Sequence, residues 1–142
     1  MITNKRASIA IGLALVLSTK ILSAHHAFSA EFDDKKPVVL KGTVVKWELT
    51  NPHSWIHLEV TDAAGATTAW AIEGGSPNSL LRHGFRKTDL PPGTEIIVHG
   101  FQAKDGEFRA VGTDVTFTDG RRLFMGGGAP GADGAEAPKD TK

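Results

Sequence analysis

The sequence predicts an all-β domain with one short helix. Three observations carry this reading. Apolar and polar residues alternate over several short runs, turn residues punctuate those runs, and one segment alone carries helix start and stop signals. The first run, Val38 to Leu49, sets Val38, Leu40 and Val44 on one parity and Trp47 and Leu49 on the other. That pattern fits a long strand that bends and changes face, with Gly42 as the expected bulge or bend. Thr50-Asn51-Pro52-His53 breaks it.

Trp55 to Val60 reads as a second strand, with Ile56, Leu58 and Val60 on one face and Trp55, His57 and Glu59 on the other. Asp62 to Gly65 turns the chain into a third strand, Thr67 to Ile72. A helix follows: Ser76 is placed as its N-cap, Pro77 suits its first position, and Gly84 ends it. Leu90-Pro91-Pro92-Gly93 leads into a fourth strand, Glu95 to Phe101, and Asp105-Gly106 into a last one around Ala110 to Phe117. Asp119-Gly120 closes a small hairpin with Arg121 to Phe124. Three strands, a helix and two or more further strands is the order of a small OB-fold-like Greek-key barrel.

The ends of the chain read differently. Lys5 and Arg6 precede the apolar run Ala7 to Leu17, and Ser18 to Ala24 ends in a small residue, so residues 1–24 read as a signal peptide. The run is too short for a stable membrane span, so no membrane insertion is expected after cleavage. Residues 25–125 are expected to form the domain. Residues 126–142, rich in Gly, Ala and Pro without a large apolar side chain, are expected to be a disordered tail. Removing 1–24 from 142 residues leaves 118, one domain's worth. The expected location is periplasmic or secreted.

The cut removes Lys5, Arg6 and Lys20 from a chain with 16 basic and 16 acidic residues, leaving the mature form with three more acids than bases. Such a charge gives no electrostatic reason to bind nucleic acid. The absence of cysteine excludes thiol chemistry, disulfides and a lipid-modified cysteine anchor.

A cut after Ala24 would give His25 a free amine beside its ring nitrogen, and His26 a place next to it. A cut after Ser23 would put a histidine third, where the amine, two backbone amides and the ring form a square-planar site. Nitrogen donors of this kind favour Cu(II). Either product therefore offers a metal site through His25 and His26, with His53 as a third candidate. His53 and His57 would stand about 13 Å apart on extended chain, too far to share an ion. For His53, turn capping after Asn51-Pro52 is the plainer role. For His57 it is a solvated pairing on the polar face it shares with Glu59.

An enzyme needs a nucleophile, a base and an oxyanion site that converge. Ser76 in Gly74-Gly75-Ser76-Pro77 is better explained as a helix cap, and the double glycine as a tight turn rather than an anion cradle. Trp47 and Trp55 flank the Asn-Pro-His turn and would line one rim, or else pack in the core with Trp70. Glu73 stands before Gly74 and is placed for a barrel mouth.

Several segments together resemble a family of small exported bacterial proteins, a domain-of-unknown-function class. They are His25-His26-Ala27-Phe28, Glu31-Phe32-Asp33, Leu40 to Val44, Asn51 to Ile56, Trp70 to Pro77, Pro92-Gly93 and Arg121 to Phe124. The resemblance spans the mature domain and implies export and a compact β-domain. The fold is also similar to that of small periplasmic OB-fold proteins that include copper-efflux chaperones binding Cu(I) through methionines. The methionines here are Met1 and Met125, so that mode does not carry over.

The sequence thus points to an exported small binding protein rather than an enzyme. The leading expectation is copper handling through His25, His26 and His53, with copper as the only expected cofactor. The alternative is a metal-independent envelope module using Trp47, Trp55, His57 and Glu73 to hold a small ligand or an envelope protein partner.

Overall fold

A computed structural model describes residues 27–134. A helical turn, α1, occupies residues 27–31. The strands are β1 (Phe32–Glu48), β2 (Trp55–Thr61), β3 (Thr67–Glu73), β4 (Glu95–Ala103), β5 (Arg109–Phe117) and β6 (Arg122–Phe124). Helix α2 (Pro77–Arg82) lies between β3 and β4. Neighbours in the sheet run β3-β2-β1-β4-β5-β6, and β3 also pairs with β5. Strands one to five therefore close a ring in the OB-like order 1-2-3-5-4. All pairings are antiparallel except the β3–β5 closure.

β1 holds the ring together because its first half pairs with β4 and its second half with β2. Its change of parity has a local cause. Val44 opposes Leu58 but Lys46 opposes His57, so Val45 is the extra residue of a bulge. Before it, Leu40 and Val44 face the core; after it, Trp47 does. The bulge is thus at Val45 rather than at the expected Gly42. Gly42 serves close approach instead, since a Cβ there would meet the Glu59 carbonyl oxygen at 2.3 Å. β1 also begins six residues earlier than expected, because Asp33 to Lys36 form a charged, outward bulge between the pairs Phe32–Ala103 and Pro37–Phe101.

The main core gathers Leu40, Val44, Ile56, Leu58, Ile72, Ile96, Val98 and Val115, with Leu80 of α2 and Met125. α2 forms as its caps dictate. The Ser79 N–H donates to Ser76 Oγ at 3.3 Å, Pro77 sits at the helix start, and Gly84 takes φ +93° after the His83 cap.

A second cluster joins the two ends of the described chain: Phe28 and Phe32 pack with Ala103, Val111, Ala129 and Ala132. The helical turn α1 carries Phe28 and the start of β1 carries Phe32 into this cluster. Beyond Met125, residues 126–134 return across the domain, with Gly126 N–H donating to Ala132 O at 2.7 Å. Alanine methyls suffice to seat this strap because the aromatic rings supply the apolar surface. Residues 135–142 lie outside the described part.

One buried charge ties β4, β5 and β6. Asp114, 2 % exposed, accepts from Arg122 Nε and Nη2, both at 2.9 Å, and from Thr113 Oγ1, and its Oδ1 lies 2.9 Å from His99 Nδ1. Burial alone would raise the Asp114 carboxyl, but the Arg122 and His99 contacts outweigh it and hold the group below its ordinary range.

Two stability predictions follow from this packing. Ile72→Ala, at a position of 0 % exposure, is expected to cost about 3 kcal/mol in urea unfolding. Asp114→Asn is expected to cost about 2 kcal/mol at neutral pH. Because the folded carboxyl titrates below its unfolded value of about 3.9, its contribution is full above that value and is lost as pH falls through the folded one. The gap between wild type and Asp114→Asn should therefore close on acidification, as followed by unfolding at a series of pH values.

Candidate functional site

The ring closure builds the site. β3 and β5 run parallel over three pairs, Ala71–Arg109, Ile72–Ala110 and Glu73–Val111. This brings Glu73 beside Val111, just where α1 and the 126–134 strap converge. Gly74 and Gly75 carry the chain out of β3, and their N–H groups donate to Ser54 O and Met125 O, each at 2.8 Å. Both donors are engaged, so the double glycine is a tight connection and not an anion cradle. The fit is close: a Cβ on Gly75 would meet Gly126 O at 2.1 Å.

Between these segments lies a cavity of about 320 Å³. Phe28, Phe32 and Val111 give it apolar walls, backbone from Gly74-Gly75 and Gly126 to Gly128 forms another side, and Glu31, His53 and Glu73 supply its polar groups. The turn after β1 delivers His53, whose Nδ1 contacts Glu73 Oε1 in an ion-pair geometry. Glu73 is almost buried, with its side chain 12 % exposed, while His53 remains half exposed at 53 %. Burial pushes the Glu73 carboxyl above its ordinary range; His53 opposes that shift and Glu31 adds to it. Glu31 is in turn held by Arg109, whose Nη1 donates to Glu31 Oε2 at 3.0 Å.

With Nδ1 turned to a carboxylate, His53 keeps Nε2 as its uncommitted ring nitrogen. A carboxylate at one ring nitrogen fixes the tautomer and orientation of the imidazole. Among the described residues, no group of three or more His, Cys, Asp or Glu side chains stands ready to hold a metal ion. His53 with Glu73 is one such side chain and its orienter. His25 and His26 lie outside the described residues, but Ala27, the next residue in the chain, lines the cavity.

The other candidates do not share this cavity. Trp47 faces inward beside Phe85, with ring centroids 5.9 Å apart, and lines a separate hollow with Lys87 and Leu90. Trp55 sits on the outer face between Glu48 and Glu73 on the neighbouring strands. His57 lines a third hollow with Val45 and Phe108, and its Nε2 stands 3.5 Å from Glu48 Oε1. Its ionic neighbour is Glu48 across the sheet, where the Val45 bulge sets the β1–β2 register. Trp70 packs edge-on against Phe108, at 5.4 Å between centroids.

Phe28, Glu31, Val111 and the Gly126 to Gly128 strap are site residues that the sequence did not single out. Phe28 and Glu31 carried a signal only as members of the segments His25-His26-Ala27-Phe28 and Glu31-Phe32-Asp33. The rest act through surface and backbone, and only the long-range packing brings them to Glu73.

No curated protein and no solved structure matches the chain. A family model does, over residues 14–113, and its description is "family of unknown function (DUF6152)". The match takes in the His25-His26 segment, His53, Glu73 and Val111, and stops short of the strap. The chain belongs to the DUF6152 family.

Proposed function

We propose that this is an exported, periplasmic or secreted binding protein that holds one copper(II) ion between its mature N-terminus and His53. One observation supports the reading: Ala27, the residue after His25-His26 in the chain, lines the cavity that also contains His53 with its Nδ1 on Glu73. In this reading His25 and His26 supply amine and imidazole donors and His53 supplies Nε2. Glu73 acts through His53 as its orienting group. Such a nitrogen set suits Cu(II) by ligand type and by the general affinity order. In the metal-independent alternative, Trp55, His57 and Glu73 share a sheet face, Trp55 being paired with Glu73 across the strands, while Trp47 lines a separate hollow.

Calorimetric titration of the exported chain with Cu(II) tests the proposal. His25→Ala, His26→Ala and His53→Ala are each expected to weaken binding strongly, whereas His57→Ala leaves it unchanged. Glu73→Gln is expected to weaken it about tenfold, the low end of the range for losing the carboxylate that orients a ligating histidine. Equal losses in His53→Ala and His57→Ala, or none in either, would remove the site from this cavity.

A further inference from the structure

The cavity beside Glu73 carries more negative charge than its surroundings answer. Glu31 and Glu73 both line it. The charged groups acting on Glu73 are His53, Glu31 and Arg109, and of these Glu31 repels it. Arg109 is divided: its Nη1 donates to Glu31 Oε2 at 3.0 Å and its Nη2 to Asp105 Oδ2 at 3.4 Å. Three carboxylates are thus met by one guanidinium and one half-exposed imidazole. Even with His53 protonated, one negative charge is left over. His53 takes Glu73 Oε1, and Glu73 Oε2 has no hydrogen-bond donor among the described residues. On a residue only 9 % exposed, such an oxygen favours an incoming donor, and a charged one most.

The rest of the lining sets the class of ligand. A volume of about 320 Å³ stands at the low end for small-molecule pockets, which run from about 300 to about 1,000 Å³. Phe28, Phe32 and Val111 offer apolar surface for a carbon body. An anion would meet Glu31 and Glu73, and the Gly74 and Gly75 N–H groups that could bind one are spent on Ser54 and Met125. The aromatic surface accepts a cation: Phe32 already carries the Arg109 guanidinium 5.4 Å from its ring centroid. We infer that the cavity binds a small organic ammonium ion, whose N–H groups donate to Glu73 Oε2 and whose apolar body packs on Phe28, Phe32 and Val111. This ligand needs no metal, and Glu73 Oε1 stays with His53.

Benzylamine, benzyl alcohol and benzoate test this, because they share an aromatic body and differ in charge. Calorimetric titration of the exported chain at neutral pH, with EDTA present, is expected to show one benzylamine bound. Benzyl alcohol is expected to bind at least tenfold more weakly, the low end for a charge-assisted hydrogen bond, and benzoate not measurably. Glu73→Gln is expected to bring benzylamine down to the level of benzyl alcohol. Glu59→Gln removes the same charge from the hollow beside His57 and should leave both ligands as in wild type. Benzyl alcohol binding as tightly as benzylamine, no binding of benzylamine, or equal losses in the two variants would overturn the inference. The wild-type comparison holds however well Glu73→Gln folds. EDTA keeps the result independent of the copper reading: copper uptake without benzylamine binding would overturn this inference alone, and benzylamine binding without copper uptake would overturn the copper reading alone.

Discussion

The short parallel pairing of β3 with β5 is the constraint on which the rest depends. It spans only three residue pairs, yet it closes the ring and sets Glu73 against Val111. A sheet that stayed open there would leave Ile72 at an unpaired edge and would separate the acid from the apolar wall it faces. Closure also directs the chain out of β3 through Gly74-Gly75, where the N–H of Gly75 is satisfied by Met125 after β6. The two ends of the described residues can then meet across the finished ring. Phe28 and Phe32 from one side and Ala129 and Ala132 from the other bury one another in a small second cluster. The cavity is the space these segments enclose around His53 and Glu73.

Electrostatics in the domain divide into two kinds of buried acid. Asp114 is compensated: Arg122, Thr113 and His99 surround its oxygens, and the group stays ionised below its ordinary range. Glu73 is not compensated to the same degree. Burial dominates there, Glu31 adds repulsion, and His53 is the opposing contact beside it, with Arg109 acting at longer range. A carboxyl left in that condition favours a neighbour that can take positive charge, which an imidazole bound to a cation does. The first arrangement fastens three strands; the second sets a half-exposed imidazole against a buried acid with less compensation.

Much of the fold was legible in the chain because local rules wrote it. The switch of parity between Val44 and Trp47 announced a bend, and the structure places a bulge at Val45. Ser76, Pro77 and Gly84 marked a helix that forms between those signals. The glycines of Asp105-Gly106 and Asp119-Gly120 take positive φ in turns where a hairpin requires it. Periodicity also identified Ile56, Leu58 and Ile72 as core. The site was legible only in pieces. His53 and Glu73 were visible as residues with chemistry, but 20 positions of sequence separate them and no short-range pattern shows that they touch. The His99–Asp114–Arg122 cluster was hidden for the same reason, since three strands contribute one residue each. The strap over the cavity was hidden by its composition. Glycine and alanine suggest a chain with nothing to bury, but two methyl groups pack well once aromatic rings from the other end lie beneath them.

The central claim is that the exported chain keeps His25 and His26 at its start and holds copper with them beside His53. Intact-mass measurement of the protein purified from the periplasm under native conditions tests this most directly. A chain beginning at Ala24 or His25 and carrying one copper ion is expected. A chain beginning beyond His26, or one with the histidines intact that takes up no added copper, would contradict it.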